Sequence, residues 1–267
     1  MEKFQTETVY QAAKSWVLEA GEMIRKRIDD PREIDTKSNE NDLVTEMDKA
    51  VEQFFANKIR THFPGHFILS EEGFGDKVEA LTGTVWIIDP IDGTMNFIHQ
   101  KRLFSISLAV FHEDVGEIGL VYDVMADVLY HAKKGQGAYK NERLLQRIAN
   151  AKTLETSIFM MNTLWTTENP YVDDVKVREL VKRVRGVRTY GSAALEFAYL
   201  TEAIVDGYVS FKLYPWDFAA GAILYNEVGG VIKQADGSPL SFLKQEPLVA
   251  GHPDIVDEVI SRYLELK

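Results

Sequence analysis

Apolar residues recur at helical spacing from the start of the chain. Val9, Ala13, Trp16, Val17, Ala20, Ile24 and Ile28 share one face of a predicted helix over 9–28. Pro31 bars its continuation. A polar stretch, 35–42, leads into a second amphipathic pattern: Met47, Val51, Phe54, Phe55, Ile59, His62 and Phe63, stopped by Pro64 and Gly65. The texture then changes to short β-type runs at 67–69, 85–88, 104–111, 118–122 and 128–132, parted by Gly, Asp and Lys turns. From about residue 150, predicted strands (158–161, 187–189, 208–211, 248–251) alternate with predicted helices (172–184, 193–200, 216–228, 255–266). Such alternation points to crossover βαβ units. The chain therefore reads as an α+β first half, 1–148, and an α/β second half, 149–267. No Pro/Gly/Ser-rich linker and no repeat separates them, so a shared core is expected.

Composition narrows the function classes. The 267 residues are 45% apolar, enough for a well-buried core and too many for a disordered chain. Forty-one acids against 30 Lys and Arg give a net charge of −11, which opposes nucleic acid and anionic membrane surfaces. With no cysteine, disulfides, thiolate metal sites and cysteine nucleophiles are excluded. The first 28 residues are charged throughout, unlike a signal peptide, and no apolar run approaches the roughly 20 residues that span a bilayer. A cytoplasmic protein is the expectation.

The chemistry concentrates at Trp86, Ile87, Ile88, Asp89, Pro90, Ile91, Asp92, Gly93 and Thr94. An apolar strand delivers Asp89 to its end, where Pro90 bars further pairing. Asp92 follows, and Gly93 with Thr94 opens a helix start with free N–H groups. Two carboxylates beside such a turn can hold hard cations and a phosphate together. A plain Asp-Gly turn accounts for the same residues. Glu71 and Glu72 follow the strand 67–69, adjacent acids that repel unless something positive lies close, or else simply an exposed turn. Asp217, after Trp216, sits in the first turn of an apolar helix, where an acid also suits the helix dipole. Asp42 and Asp48 bracket the start of the second helix, and Thr45 with Asp48 has the spacing of a capping box.

In order and approximate spacing, Lys37, the 42–48 segment, Glu71-Glu72, the 86–97 segment, Gly191-Ser192-Ala193 and Trp216-Asp217 resemble the inositol monophosphatase family. That resemblance implies a layered αβαβα sandwich and a Mg²⁺-dependent phosphomonoesterase acting on inositol monophosphate. By the family pattern, Glu71, Asp89, the backbone carbonyl of Ile91, Asp92 and Asp217 are the metal ligands for two or three Mg²⁺, which Mn²⁺ can replace. Asp48, Glu71 and Thr94 would serve catalysis, with Asp48 and Thr94 positioning the attacking water. Lys37 and Glu72 would support the site. Gly93, Thr94, Gly191, Ser192, Ala193, Ser210 and Asp217 would meet the substrate. A homodimer and lithium sensitivity are implied as well.

Rival chemistries find no support. His62 and His66 have zinc-pair spacing, but Pro64 and Gly65 break the helix such a pair needs. Gly135-Gln136-Gly137 reads as a hairpin turn, and no nucleophile elbow or P-loop occurs. Two departures bear on substrate. Ser210 stands where the family typically has a glutamate that binds inositol hydroxyls, leaving a smaller neutral wall. Lys212 beside it is either a contact for a second phosphate or an ordinary surface lysine. NADP(H) 2′-phosphatase activity, fructose 1,6-bisphosphatase activity and nucleotide bisphosphate hydrolysis are therefore alternatives. Met95 replaces a polar residue, with little effect expected. A run of Lys176, Arg178, Lys182, Arg183, Arg185 and Arg188 suits either a docking patch for transcription machinery or a solvated helix face.

Overall fold

The computed structural model describes residues 4–30, 34–36, 43–148 and 152–267. The first half contains α1 (Thr6–Lys26), β1 (Ile34–Thr36), β2 (Leu43–Thr45), α2 (Glu46–His62), β3 (Phe67–Ser70), β4 (Thr84–Asp92), α3 (Thr94–His99), β5 (Ser105–His112), β6 (Val115–Asp123), β7 (Val128–Lys133), β8 (Ala138–Lys140) and β9 (Arg143–Leu144). The second contains β10 (Ile158–Met160), α4 (Asp174–Arg183), β11 (Gly186–Arg188), α5 (Ala193–Thr201), β12 (Gly207–Leu213), α6 (Pro215–Glu227), β13 (Val231–Gln234), β14 (Glu246–Gly251) and α7 (Pro253–Tyr263).

The period-two alternation of β4 explains the layering. Trp86 and Ile88 face one way and pack with Trp16, Val17, Val51 and Phe55 of α1 and α2. Val85 and Ile87 face the other way and pack with residues of α5 and α6. Both faces of this sheet are thus covered, which is why β4 is buried along its whole length. The sheet runs β3-β4-β5-β6-β7-β8-β9, with only β3 parallel to its neighbour. The second sheet, β11-β10-β12-β14-β13, turns Tyr208, Leu248 and Ala250 toward α5 and α6. Its Phe159, Val209 and Val249 face the outer helices α4 and α7. Helices and sheets therefore stack in five layers, αβαβα. Among the described residues no helix is long and apolar enough to cross a membrane.

Close approach of backbones sets the middle layer. A Cβ on Gly119 of β6 would lie 2.6 Å from the Ala220 carbonyl of α6, so only glycine lets this helix seat on the sheet. Each large side chain buried in these seams contributes about 1.5–3 kcal/mol.

Several sequence expectations need correction. The crossover pattern holds for β10, β11 and β12, which are parallel, but β14 and β13 join antiparallel. The edge strand β13 was not anticipated, being four residues with no alternating burial. Nor was the β1–β2 ribbon, which falls in a stretch read as polar coil and helix start. Pro90 does not end its strand: β4 pairs with β5 up to Asp89, skips, and resumes with Asp92 opposite Ser105. A bulge accommodates the missing N–H.

Candidate active site

That bulge builds the site. Asp89 and Asp92 leave β4 three residues apart, and Asp217 enters from the first turn of α6. One carboxylate oxygen from each lies within 4.8 Å of the others. Asp89 is 2% exposed and accepts from the Ile91 N–H at 3.0 Å. Asp92 points at the N-terminus of α5. There it accepts from Ala194 N at 2.8 Å, Ala193 N at 3.2 Å and the Ser192 hydroxyl, with Ser105 Oγ at 3.3 Å. An anion is favoured where helix N–H groups are free. Asp217 accepts from Tyr214 N at 2.8 Å, the cap of its own helix. The dipole role and the clustering coincide.

Gly93 makes the turn possible. Its φ is +92°, and a Cβ there would lie 3.0 Å from the Gly191 carbonyl and 3.1 Å from Ser192 Cβ. Thr94 then starts α3, its hydroxyl 3.2 Å from the Ile91 carbonyl and 3.4 Å from Asp48 Oδ1. Asp48 is the third residue of α2 and does form the capping box, taking the Thr45 N–H at 2.9 Å and the Thr45 hydroxyl. Its other oxygen remains turned to Thr94. Glu71 and Glu72 occupy the turn after β3, and the Glu71 charge acts on Asp48, Asp89 and Asp92. Ser210 on β12 lines one 340 Å³ cavity with Asp92, Asp217, Gly191, Ser192 and Ala193. Lys37 and Asp42 lie outside the described residues. Met95 is 45% exposed.

The electrostatics are those of a site short of positive charge. Burial, then the charge of Glu71, Asp92, Asp217 and Asp48, pushes the Asp89 carboxyl well above the usual range. Burial raises Asp92 to about 6 against the pull of its Ser192, Ala194 and Ala193 hydrogen bonds. Burial likewise raises Asp48 to about 6. Every charge acting most strongly on Asp89 is another carboxylate. Such a donor set fits a hard divalent cation, since all ligands are oxygens and bound positive charge would relieve the repulsion.

Two buried acids escaped the sequence reading. Glu52 of α2, 0% exposed, accepts from Ser70 Oγ at 2.7 Å, Glu72 N at 2.6 Å and Phe74 N at 2.7 Å, so it holds the turn that carries Glu71. Glu196 of α5 accepts from Tyr190 N at 2.7 Å and Gly191 N at 3.4 Å and holds the loop before Ser192. Each is an acid among core positions, Glu52 beside Val51 and Glu196 between Leu195 and Phe197, and that was the available signal. Of the histidine pair with zinc spacing, His62 is exposed and His66 Nδ1 accepts from Trp86 Nε1 at 3.0 Å. Gly135 and Gly137 shape the β7–β8 hairpin with positive φ.

A layered α/β protein with buried, cation-ready carboxylates between its inner sheet and middle helices is the class defined here. Within it, the inositol monophosphatase family model matches residues 5–265, and the chain belongs to that family. The inositol-1-monophosphatase of Bacillus subtilis (strain 168) is 49% identical over 257 residues, 96% of this chain and 97% of that protein. The Nus factor SuhB of Escherichia coli (strain K12) is 34% identical over 244 residues, 91% of this chain and 90% of that one. A crystal structure of SaIMPase-II with 2′AMP bound, a Staphylococcus aureus protein, matches with a TM-score of 0.88 and 37% identity, over 96% of this chain and 94% of that one.

Proposed function

We propose that this chain is a Mg²⁺-dependent phosphomonoesterase that hydrolyses inositol monophosphate to inositol and phosphate. The observation that carries the reading is the clustering of buried Asp89 and Asp92 with half-buried Asp217 beside a cavity, within a chain so similar to an inositol-1-monophosphatase. Glu71, Asp89, the Ile91 carbonyl, Asp92 and Asp217 would hold the ions, with Glu72 and Lys37 in support. Bound Mg²⁺ would supply Lewis-acid chemistry, lowering the pKa of a water and stabilising the departing alkoxide. The Asp48 carboxylate and the Thr94 hydroxyl, 3.4 Å apart, would together orient a water that contacts both for in-line attack. The N–H groups of Gly93 and Thr94 at the start of α3 would contact the phosphate. Asp92 is held rigidly by α5, so its orientation is settled before any ligand arrives. Gly191, Ser192 and Ala193 border the leaving group.

Phosphate release from inositol 1-phosphate should require Mg²⁺ and stop with EDTA, and Asp92→Asn should abolish it while the protein still melts cooperatively. EDTA-resistant release would refute the metal reading. Lithium should inhibit, and Mn²⁺ should substitute.

Ser210 favours a second reading, hydrolysis of a 2′-phosphate such as that of 2′AMP or NADP(H), because a buried neutral wall replaces the acceptor a polyol needs. Ser210→Glu should shift preference toward inositol phosphate over 2′AMP; an unchanged ratio refutes that role. A transcription role is less favoured: in the basic run, Arg178 pairs with Asp174 and Arg183 with Glu155. We also infer two lobes, 1–148 and 149–267, since each sheet draws its strands from one side of that boundary. A cytoplasmic homodimer completes the reading, checked by light scattering and fractionation.

A further inference from the structure

Three backbone segments close on one point beside the carboxylate trio. A Cβ on Gly93 would lie 3.0 Å from the Gly191 carbonyl and 3.4 Å from the Leu103 carbonyl. Gly191 itself has φ +79°, and a Cβ there would lie 3.0 Å from the Asn96 amide nitrogen. Both glycines thus leave room for a contact between the two halves of the chain.

Asn96 fills that contact. It is the third residue of α3 and is buried. Its Nδ2 donates to the Leu103 carbonyl at 2.7 Å and the Tyr190 carbonyl at 2.6 Å, while Oδ1 accepts from Gln100 Nε2 at 2.8 Å. Carbonyls only accept, so the amide has one workable orientation and both its N–H groups are used. The Tyr190 peptide is held from both sides: its N–H donates to Glu196 of α5, and its carbonyl accepts from Asn96. Asp92 ties the same loop further on, at Ser192, Ala193 and Ala194. Lys101 (φ +55°) and Leu103 (φ +57°) hold left-handed conformations disfavoured for such residues, which the bond to the Leu103 carbonyl helps to keep.

We propose that Asn96 is a positioning residue that sets selectivity for the leaving group, by fixing how far the 190–193 wall stands from the Gly93–Thr94 turn. This rests on the phosphomonoesterase reading above. Gly93 and Thr94 would contact the scissile phosphate, while Gly191, Ser192 and Ala193 line the cavity that takes the leaving group. The Asn96 side chain makes no hydrogen bond to Asp89, Asp92 or Asp217 among the described residues. Its loss should therefore move the wall relative to the phosphate and leave the cation ligands in place. A misplacement of about 1 Å can cost about 100-fold, so a partial slip should read as about tenfold.

The test compares p-nitrophenyl phosphate, whose activated leaving group asks little of the wall, with inositol 1-phosphate and 2′AMP. Asn96→Asp keeps the shape but turns a carboxylate oxygen toward the two carbonyls. The selectivity ratio is kcat/KM for the better of the two larger substrates over that for p-nitrophenyl phosphate. It should fall about tenfold, mainly through KM, while half-saturating Mg²⁺ on p-nitrophenyl phosphate stays within about twofold. Gln100→Ala, at an exposed position, frees the amide more gently and should lower the ratio about threefold. It decides the matter should Asn96→Asp not fold. A purely structural role would depress all three substrates alike. A ratio within about twofold of the unmodified protein's in every folded variant, or a raised Mg²⁺ requirement, would overturn the assignment alone. So would hydrolysis of p-nitrophenyl phosphate alone by the unmodified protein, which leaves no preference for Asn96 to set. No Mg²⁺-dependent release from any of the three would overturn the hydrolase reading and this assignment with it.

Discussion

Glu52 gives the sharpest test of how the site is held. It touches no expected ligand directly, yet both its oxygens accept hydrogen bonds from the turn that presents Glu71: Ser70 Oγ and Phe74 N to one, Glu72 N to the other. Glu52→Gln keeps the size but replaces one acceptor with an NH₂. Whichever way the amide turns, a donor faces a backbone N–H, and at least one buried N–H loses its acceptor. Leaving such a group unsatisfied costs about 1–3 kcal/mol. Taking about 2 kcal/mol as the loss, with the Arg60 and Asp76 contacts at the far side of the turn unchanged, the competent arrangement would become up to about 30-fold less populated. The cost falls on a local segment, so the global melt should move far less than the cation requirement. The assay is phosphate release from inositol 1-phosphate across a Mg²⁺ titration, with a thermal melt in parallel. A several-fold to 30-fold rise in half-saturating Mg²⁺ with a near-normal melt is expected. An unchanged Mg²⁺ requirement would refute the view that Glu52 positions Glu71.

Gly93→Ala should impair turnover by at least tenfold, because a left-handed φ of +92° and a carbonyl 3.0 Å from the new Cβ push the turn away from Asp92; about 1–2 kcal/mol of strain is involved, and normal activity would sink the argument. His131 should make folding acid-sensitive. Burial, helped by the charges of Lys14 and Lys133, lowers it from 6.5 to about 4 against the opposing pull of Asn141 O at 2.8 Å; that carbonyl can only accept from Nε2–H, which leaves Nδ1 to accept from the Tyr10 hydroxyl at 2.6 Å. A lowered histidine pKa means the unfolded chain binds the extra proton between about pH 6.5 and 4, so stability is full above that window and declines as pH falls through it. The full shift would be worth about 3 kcal/mol, reduced by solvent screening to about 1–2. Urea midpoints at pH 7 and 4.5 should show a steeper acid loss in the unmodified protein than in His131→Gln; parallel losses would refute the assignment.

The legible part of the fold was the part written in periodicity. Val9 to Ile28 and Met47 to Phe63 each present one apolar face, and α1 and α2 follow from that with ends shifted by a few residues. The run ending at Asp89 was legible because a wholly apolar strand that stops at an acid needs explaining. What periodicity could not show was which way a strand pairs. β14 is as apolar as a parallel core strand, yet lies antiparallel to β12, since α6 and β13 return the chain from the opposite end. Glu52 and Glu196 were opaque for a related reason. Their backbone N–H partners lie 20 and 22 residues away for Glu52 and 5–6 residues away for Glu196, and a backbone donor has no letter of its own in the sequence.

The same bonds show why the site belongs to the middle of the sandwich rather than to one sheet. Asp89 and Asp92 come from β4, but the donors that fix Asp92 come from Ser192, Ala193 and Ala194, and Asp217 comes from α6. The trio is therefore complete only when α5 and α6 are docked on the first sheet. Burying these carboxylates and gathering them beside one another and Glu71 opposes folding, as the raised Asp89 and Asp92 pKa values show. Burial of Phe197, Phe218 and their neighbours in the same layer offsets that repulsion. A cation that binds the gathered trio and not the dispersed unfolded chain must then stabilise the fold by mass action. Its effect should run through α5 and α6, whose amides should gain protection from hydrogen exchange on adding Mg²⁺, while those of the outer helix α7 change little.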